Sequence, residues 1–148
     1  MNTRKNWVLL LTLLLMVLQV APAAAQPIGI VAKTVLASNQ GEYLDPRLGP
    51  LAGELQSVFR YSSYRLLSQD RLSLALKQAG TISLPGSHTL QIIPNGIAGN
   101  RAELQLSILK NGSRIFNTVV QLRNRASVTV GGPKHEDGYL LFNISASF

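Results

Sequence analysis

Beyond residue 26 the apolar side chains recur with two different periods, and the change from one to the other divides the chain into elements. The run IGIVAKTVLAS after Pro27 is rich in β-branched residues and is expected to form a first strand. NQGEY follows as a loop. In DPRLGPLAGELQSVFRY, Leu48, Leu51, Leu55, Val58 and Phe59 recur at helical spacing and share one face. Asp45 is a capping residue type, and Pro46 suits the first helical position, where its missing N–H costs nothing. Pro50 conflicts with one continuous helix, because it would forfeit an internal bond and crowd the preceding turn. A single tight turn over 46–49, with the regular helix beginning at Pro50, resolves the conflict. Gly49 and Gly53 weaken such a helix in isolation, so it must dock its leucine face on a sheet.

From Ser63 onward the period is two. Tyr64 and Leu66 point one way, Arg65 and Leu67 the other. Gln69-Asp70 reads as a turn, after which Leu72, Leu74 and Leu76 alternate with polar or small residues. Segments 81–84 and 88–93 flank the Pro85-Gly86 reversal, and Pro94-Asn95-Gly96 turns the chain again. Ala102, Leu104, Leu106 and Ile108 alternate with polar residues. Asn111-Gly112 then joins that strand to RIFNTVVQL as a hairpin, with Phe116, Thr118, Val120 and Leu122 keeping the alternation. Ala126, Val128 and Val130 make a further short strand, and GGPKHEDG is a long turn. The last strand, YLLFNISASF, has Leu140, Phe142, Ile144, Ala146 and Phe148 on one side. The expected fold is mainly β: an antiparallel β-sandwich of about eight strands with one α-helix near the N-terminus of the mature chain. Regular alternation ending in a terminal phenylalanine also suits the closing strand of a small outer-membrane β-barrel. Against a barrel stand the early helix and several short strands.

Residues 1–25 have the layout of a secretory signal peptide. Arg4 and Lys5 begin it, Trp7–Val20 is apolar except for Thr12 and Gln19, and Ala23-Ala24-Ala25 offers small residues for cleavage. The apolar run falls short of the roughly 20 residues that span a bilayer. Residues 26–148 are then a single β-rich domain in the periplasm or secreted. With no cysteine, the chain has no disulfide, no thiolate metal site, no cysteine nucleophile and no cysteine for a lipid anchor.

Removing Arg4 and Lys5 from 14 basic residues leaves 12 against 7 acidic ones, a net charge of +5. That surplus favours an anionic envelope polymer, lipid head groups or an acidic face of an envelope protein. Export makes nucleic acid an unexpected partner. No phosphate loop or dinucleotide fingerprint is present, so no cofactor is expected.

Catalytic constellations are scarce. Ser87 and His88 are adjacent, so in a strand they face opposite ways, and His88 reads as a surface residue. His135-Glu136-Asp137 lacks the further ligands that calcium or zinc would need and reads as a solvated turn, with no metal. The acids Glu42, Asp45, Glu54, Asp70, Glu103, Glu136 and Asp137 form no local pair of the kind a hydrolase of anionic polymers would use. The basic residues are more suggestive. Arg60, Arg65 and Arg71 lie around Tyr61 and Tyr64, while Arg123 and Arg125, two apart, would share one face of a strand. Arginine with tyrosine is a common pairing on binding surfaces. The alternation nevertheless places Tyr64 on the leucine side, so YSSYRLL is read first as a helix-to-strand corner and second as a binding surface.

The block LDPRLGPLAGELQSVFRYSSYRLL, with the later GGPKHEDGYLLFNISA, resembles a group of uncharacterised small secreted proteins of Gram-negative bacteria. The resemblance covers most of the mature chain and implies an envelope location and a compact β-rich domain, with no activity or catalytic residues to carry over. The leading expectation is a non-enzymatic envelope module that binds a macromolecule through an open sheet edge or the arginine–tyrosine surface. An outer-membrane barrel and a hydrolase are the alternatives.

Overall fold

The computed structural model describes residues 24–148. The expected signal peptide therefore lies outside the described residues except for Ala24 and Ala25. Nine strands and one α-helix follow in order: β1 (Ile28–Ser38), β2 (Tyr43–Leu44), a 3-10 turn (Pro46–Leu48), α1 (Leu51–Val58), β3 (Ser63–Leu74), β4 (Gly80–Leu84), β5 (His88–Ala98), β6 (Arg101–Lys110), β7 (Ser113–Arg123), β8 (Ser127–His135) and β9 (Gly138–Ser147). They form two separate sheets, one of five strands in the order β2-β3-β1-β9-β8 and one of four in the order β4-β5-β6-β7. The strands thus make a β-sandwich with free edges and not a closed barrel. All pairings are antiparallel except the short β2–β3 contact. Among the described residues no helix is long and apolar enough to cross a membrane.

Period-two alternation builds the core between the sheets. Ile28, Ile30 and Ala32 of β1 meet Leu140, Phe142, Ile144 and Ala146 of β9 on one side. Ile82, Leu90, Ile92, Leu104, Leu106, Ile108 and Leu122 face them from the other. The hairpin at Asn111-Gly112 forms as expected, both residues taking the positive φ (50° and 80°) that a tight turn between twisted strands requires.

A second core lies on the outer face of the five-stranded sheet. Leu48, Leu51 and Leu55 pack there on Val35, Ala37, Tyr64, Leu66 and Leu141. Helix α1 begins where Pro50 forces it to, after the 3-10 turn over Pro46–Leu48. Burying each leucine contributes about 1.5–3 kcal/mol. That outweighs the cost of Gly53, about 1 kcal/mol against alanine. Val58 ends the helix exposed, and Phe59, already extended, only partly joins the core.

One irregularity lets β3 serve both cores. Val35 pairs with Leu66 and Thr34 with Ser68, so Leu67 has no partner opposite it. This bulge inverts the alternation. Tyr64 and Leu66 face the helix, whereas Leu72 and Leu74, of the same parity, face the other sheet.

Four expectations about local structure are corrected. Gln69-Asp70 is not a turn, since β3 runs through it in register with Lys33 and Ala32. Pro94-Asn95-Gly96 is a bulge inside β5, and the reversal comes later, at Gly99-Asn100. In GGPKHEDG most residues extend β8, leaving the turn to Glu136-Asp137. His88 is not a surface histidine. It begins β5 on the same face as Leu90 and Ile92, is 7% exposed, and places Nδ1 3.0 Å from the Pro85 carbonyl.

Candidate interaction surface

The seven residues singled out in the sequence do not form one surface. Tyr64 is fully buried under α1. Its hydroxyl accepts from the Tyr61 N–H at 3.3 Å and donates to the Phe59 carbonyl at 2.9 Å, so it satisfies the backbone where the helix ends. Tyr61 stacks edge-on against Tyr64 and tilts against Tyr139, each at 6.3 Å between ring centres. YSSYRLL is therefore a corner that locks helix to sheet.

Around that corner Arg60 is exposed, and the Arg65 guanidinium sits 5.5 Å over the Tyr43 ring as a cation–π pair. Arg65 also lines a groove with Glu136 and Asp137. Arg71 stands exposed on β3, opposite Val31. Arg123 ends β7. Arg125 lies beyond it in the turn, with φ of 65° and its N–H donating to the Ala146 carbonyl at 2.8 Å. The two thus do not share a strand face, because the strand stops between them.

Arg47, which the sequence reading passed over, has a larger structural part. Asp45 is 2% exposed and accepts from the Arg47 N–H and Nε, both at 3.0 Å, from Nη2 at 2.7 Å, and from the Leu66 N–H at 3.1 Å. Arg47 Nη2 donates in turn to the Leu66 carbonyl at 2.8 Å. The Arg47 hydrogen bonds hold the Asp45 carboxyl far below the usual carboxylate range against the opposing effect of burial.

Four of the seven carboxylates fall in three separate places. Asp45 is committed to this clamp. Glu103 lines a cleft with Lys77 and Arg101, accepting from Asn95 Nδ2 at 3.1 Å. Glu136 and Asp137 are neighbours on one turn and so cannot face each other across a cleft. Among the described residues no group of three or more histidine or acidic side chains could hold a metal ion.

The sheet edges differ sharply. Strand β4 spans only Gly80–Leu84. β8 is broken by a register shift between Gly131 and Lys134 that includes Pro133. β3 is capped at one end by β2 and the Asp45–Arg47 clamp, and it turns the charge of Asp70 toward the inter-sheet side, opposite Ala32. Each of these devices discourages further strand pairing. β7 has none of them along Phe116–Arg123, where its register with β6 is uninterrupted and no proline occurs. Large apolar side chains crowd its exposed surface: Ile115 is 51%, Val119 50% and Phe116 37% exposed. The sequence carried a signal for this. Unlike a half-buried strand, RIFNTVVQL is apolar at both parities, with Ile115 beside Phe116 and Val119 beside Val120.

No protein-family model matches the chain, and neither the curated proteins nor the solved structures offer a match.

Proposed function

We propose that the protein is an exported, non-enzymatic module of the cell envelope, in the periplasm or secreted, and that it receives an extended segment of another envelope polypeptide along β7. One observation carries this reading: Phe116–Arg123 is a long, regular edge without a partner strand among the described residues, flanked by exposed apolar side chains. Such an edge offers a row of unpaired N–H and C=O groups. An added strand gains main-chain hydrogen bonds for affinity, and its alternate side chains supply selectivity. The signal-peptide pattern and the positive charge support an envelope setting with an anionic counterpart. The inter-sheet core, which Leu122 and Val120 of β7 join, gives the edge a rigid backing, which keeps the ordering cost of binding low.

The test is site-directed photo-crosslinking in cells. A photoreactive residue at position 119 should give a discrete adduct with one envelope polypeptide, and the same probe at position 71, on the other sheet, should not. Identical adducts from both positions, or none from position 119, would overturn the proposal.

A further inference from the structure

We infer that the segment received by β7 is an acidic one, carrying carboxylates at both of its ends and apolar residues between them. This rests on the strand-receiving reading and adds the chemistry of the occupant.

The charge on β7 itself is one-sided. β7 holds Arg114 and Arg123 and no aspartate or glutamate, while the one acid on the neighbouring β6, Glu103, lies opposite Gln121 and accepts from Asn95 Nδ2. Arg114 and Arg123 stand near the two ends of β7, and Arg101 of β6 is the ladder partner of Arg123. Among the described residues, the close acid–base contacts are Arg47 with Asp45 and His135 with Glu136, so none of these arginines has a carboxylate within salt-bridge distance. Between the charged ends the edge offers Phe116, Thr118 and Val120 on the inter-sheet side and Asn117, Val119 and Gln121 on the other. A strand laid along it would set apolar side chains beside Phe116, Val119 and Val120 and would place its ends against guanidinium groups.

A second copy of this chain fits poorly. Two β7 strands paired antiparallel with their apolar runs opposed bring Arg114 of one close to Arg123 of the other, and like charges facing each other across a ladder are destabilising. Carboxylates in those places would instead form forked, charge-assisted hydrogen bonds with arginine. Because both ends of β7 are basic, the requirement is the same whether the incoming strand runs parallel or antiparallel.

The experiment compares three peptides of about ten residues, a common strand length. They share an alternating valine–threonine centre and differ only in their ends, which are glutamate, glutamine or lysine. Binding to the purified protein is followed by fluorescence anisotropy at low and high salt, and the site by amide hydrogen exchange. The acidic peptide is expected to bind about tenfold more tightly than the glutamine one at low salt, in keeping with a few exposed charge pairs. It should slow exchange of amides in Phe116–Arg123, and salt should weaken its binding. Joint replacement Arg114→Gln and Arg123→Gln, both at exposed positions, should bring its affinity to that of the glutamine peptide. Equal binding of the acidic and glutamine peptides, with β7 protected by both, would overturn the acidic preference and leave the strand-receiving reading standing. Failure of every peptide to protect β7 would overturn both. Protection of β7 that rises with protein concentration alone would identify a second copy as the occupant and overturn this inference.

Discussion

Asp45 accepts the backbone N–H of Leu66 at 3.1 Å, across 21 positions of sequence, at the point where β2 no longer covers β3. Arg47 takes the carbonyl of the same residue. Two side chains thus continue the ladder that β2 begins, beside the bulge at Leu67, and they anchor the start of the helical segment to the sheet beneath it.

Because the folded Asp45 carboxyl sits well below its ordinary value, its contribution to stability should be complete above the unfolded carboxylate value, about 4. It should be lost as pH falls below that toward the folded value. Thermal denaturation followed by circular dichroism should show the wild-type midpoint falling below about pH 4. The variant Asp45→Asn should be several degrees less stable at neutral pH and should converge on the wild type in acid. Parallel curves for the two proteins would show that the clamp does not titrate this way.

Deleting Leu67 should abolish the native fold. Without the extra residue, Tyr64 and Leu66 cannot face the helix while Leu72 and Leu74 face the opposite sheet. Loss of dispersed amide resonances in the deletion variant is the expected result, and a native-like spectrum would contradict the account of the bulge. Substitution Leu67→Ala, which keeps the residue count, should leave the fold intact.

Two glycines should respond to alanine in opposite ways. At Gly53, an exposed helical position, nothing lies within 4 Å of an added Cβ, so Gly53→Ala should stabilise by about 0.5–1 kcal/mol. At Gly138 the added carbon would run into the Ala37 carbonyl and the Ser38 side chain, where β9 meets β1, so Gly138→Ala should cost about 2 kcal/mol or more. Urea unfolding with unchanged slope would give both values.

Removing the hydroxyl in Tyr64→Phe leaves the ring packed under α1 but strands the Tyr61 N–H and the Phe59 carbonyl. A loss of about 1–2 kcal/mol is expected in the same urea experiment. No loss would mean that water or a neighbouring group takes over both partners.

The sequence made the strands legible where each buried one face, as in β1, β6 and β9, and it made the helix legible through Pro50 and the leucine spacing. It misled where a strand accommodates an irregularity without stopping. Pro94 in β5 and Gly131-Gly132-Pro133 in β8 look like turns locally, yet neighbouring strands hold them extended. Asp70 looked like a turn residue because nothing local reveals that an edge strand can carry an inward charge. The arginine–tyrosine cluster was close in sequence and dispersed in space, since Tyr64 turns inward and the chain leaves its strand before Arg125. The β7 edge escaped notice for a different reason: which strand ends up outermost is a property of the whole topology.

Strand β1, at the beginning of the described fold, lies directly beside β9 at its end, with Gly29 opposite Ser147. Until the final strand has been synthesised, β1 has only β3 for a neighbour, and the inter-sheet core lacks Leu140, Phe142, Ile144 and Ala146. Assembly thus depends on a contact that spans nearly the whole described fold, a connectivity that folds slowly. The two ends of the described fold therefore close its core together, and the inter-sheet core is incomplete until β9 lies beside β1.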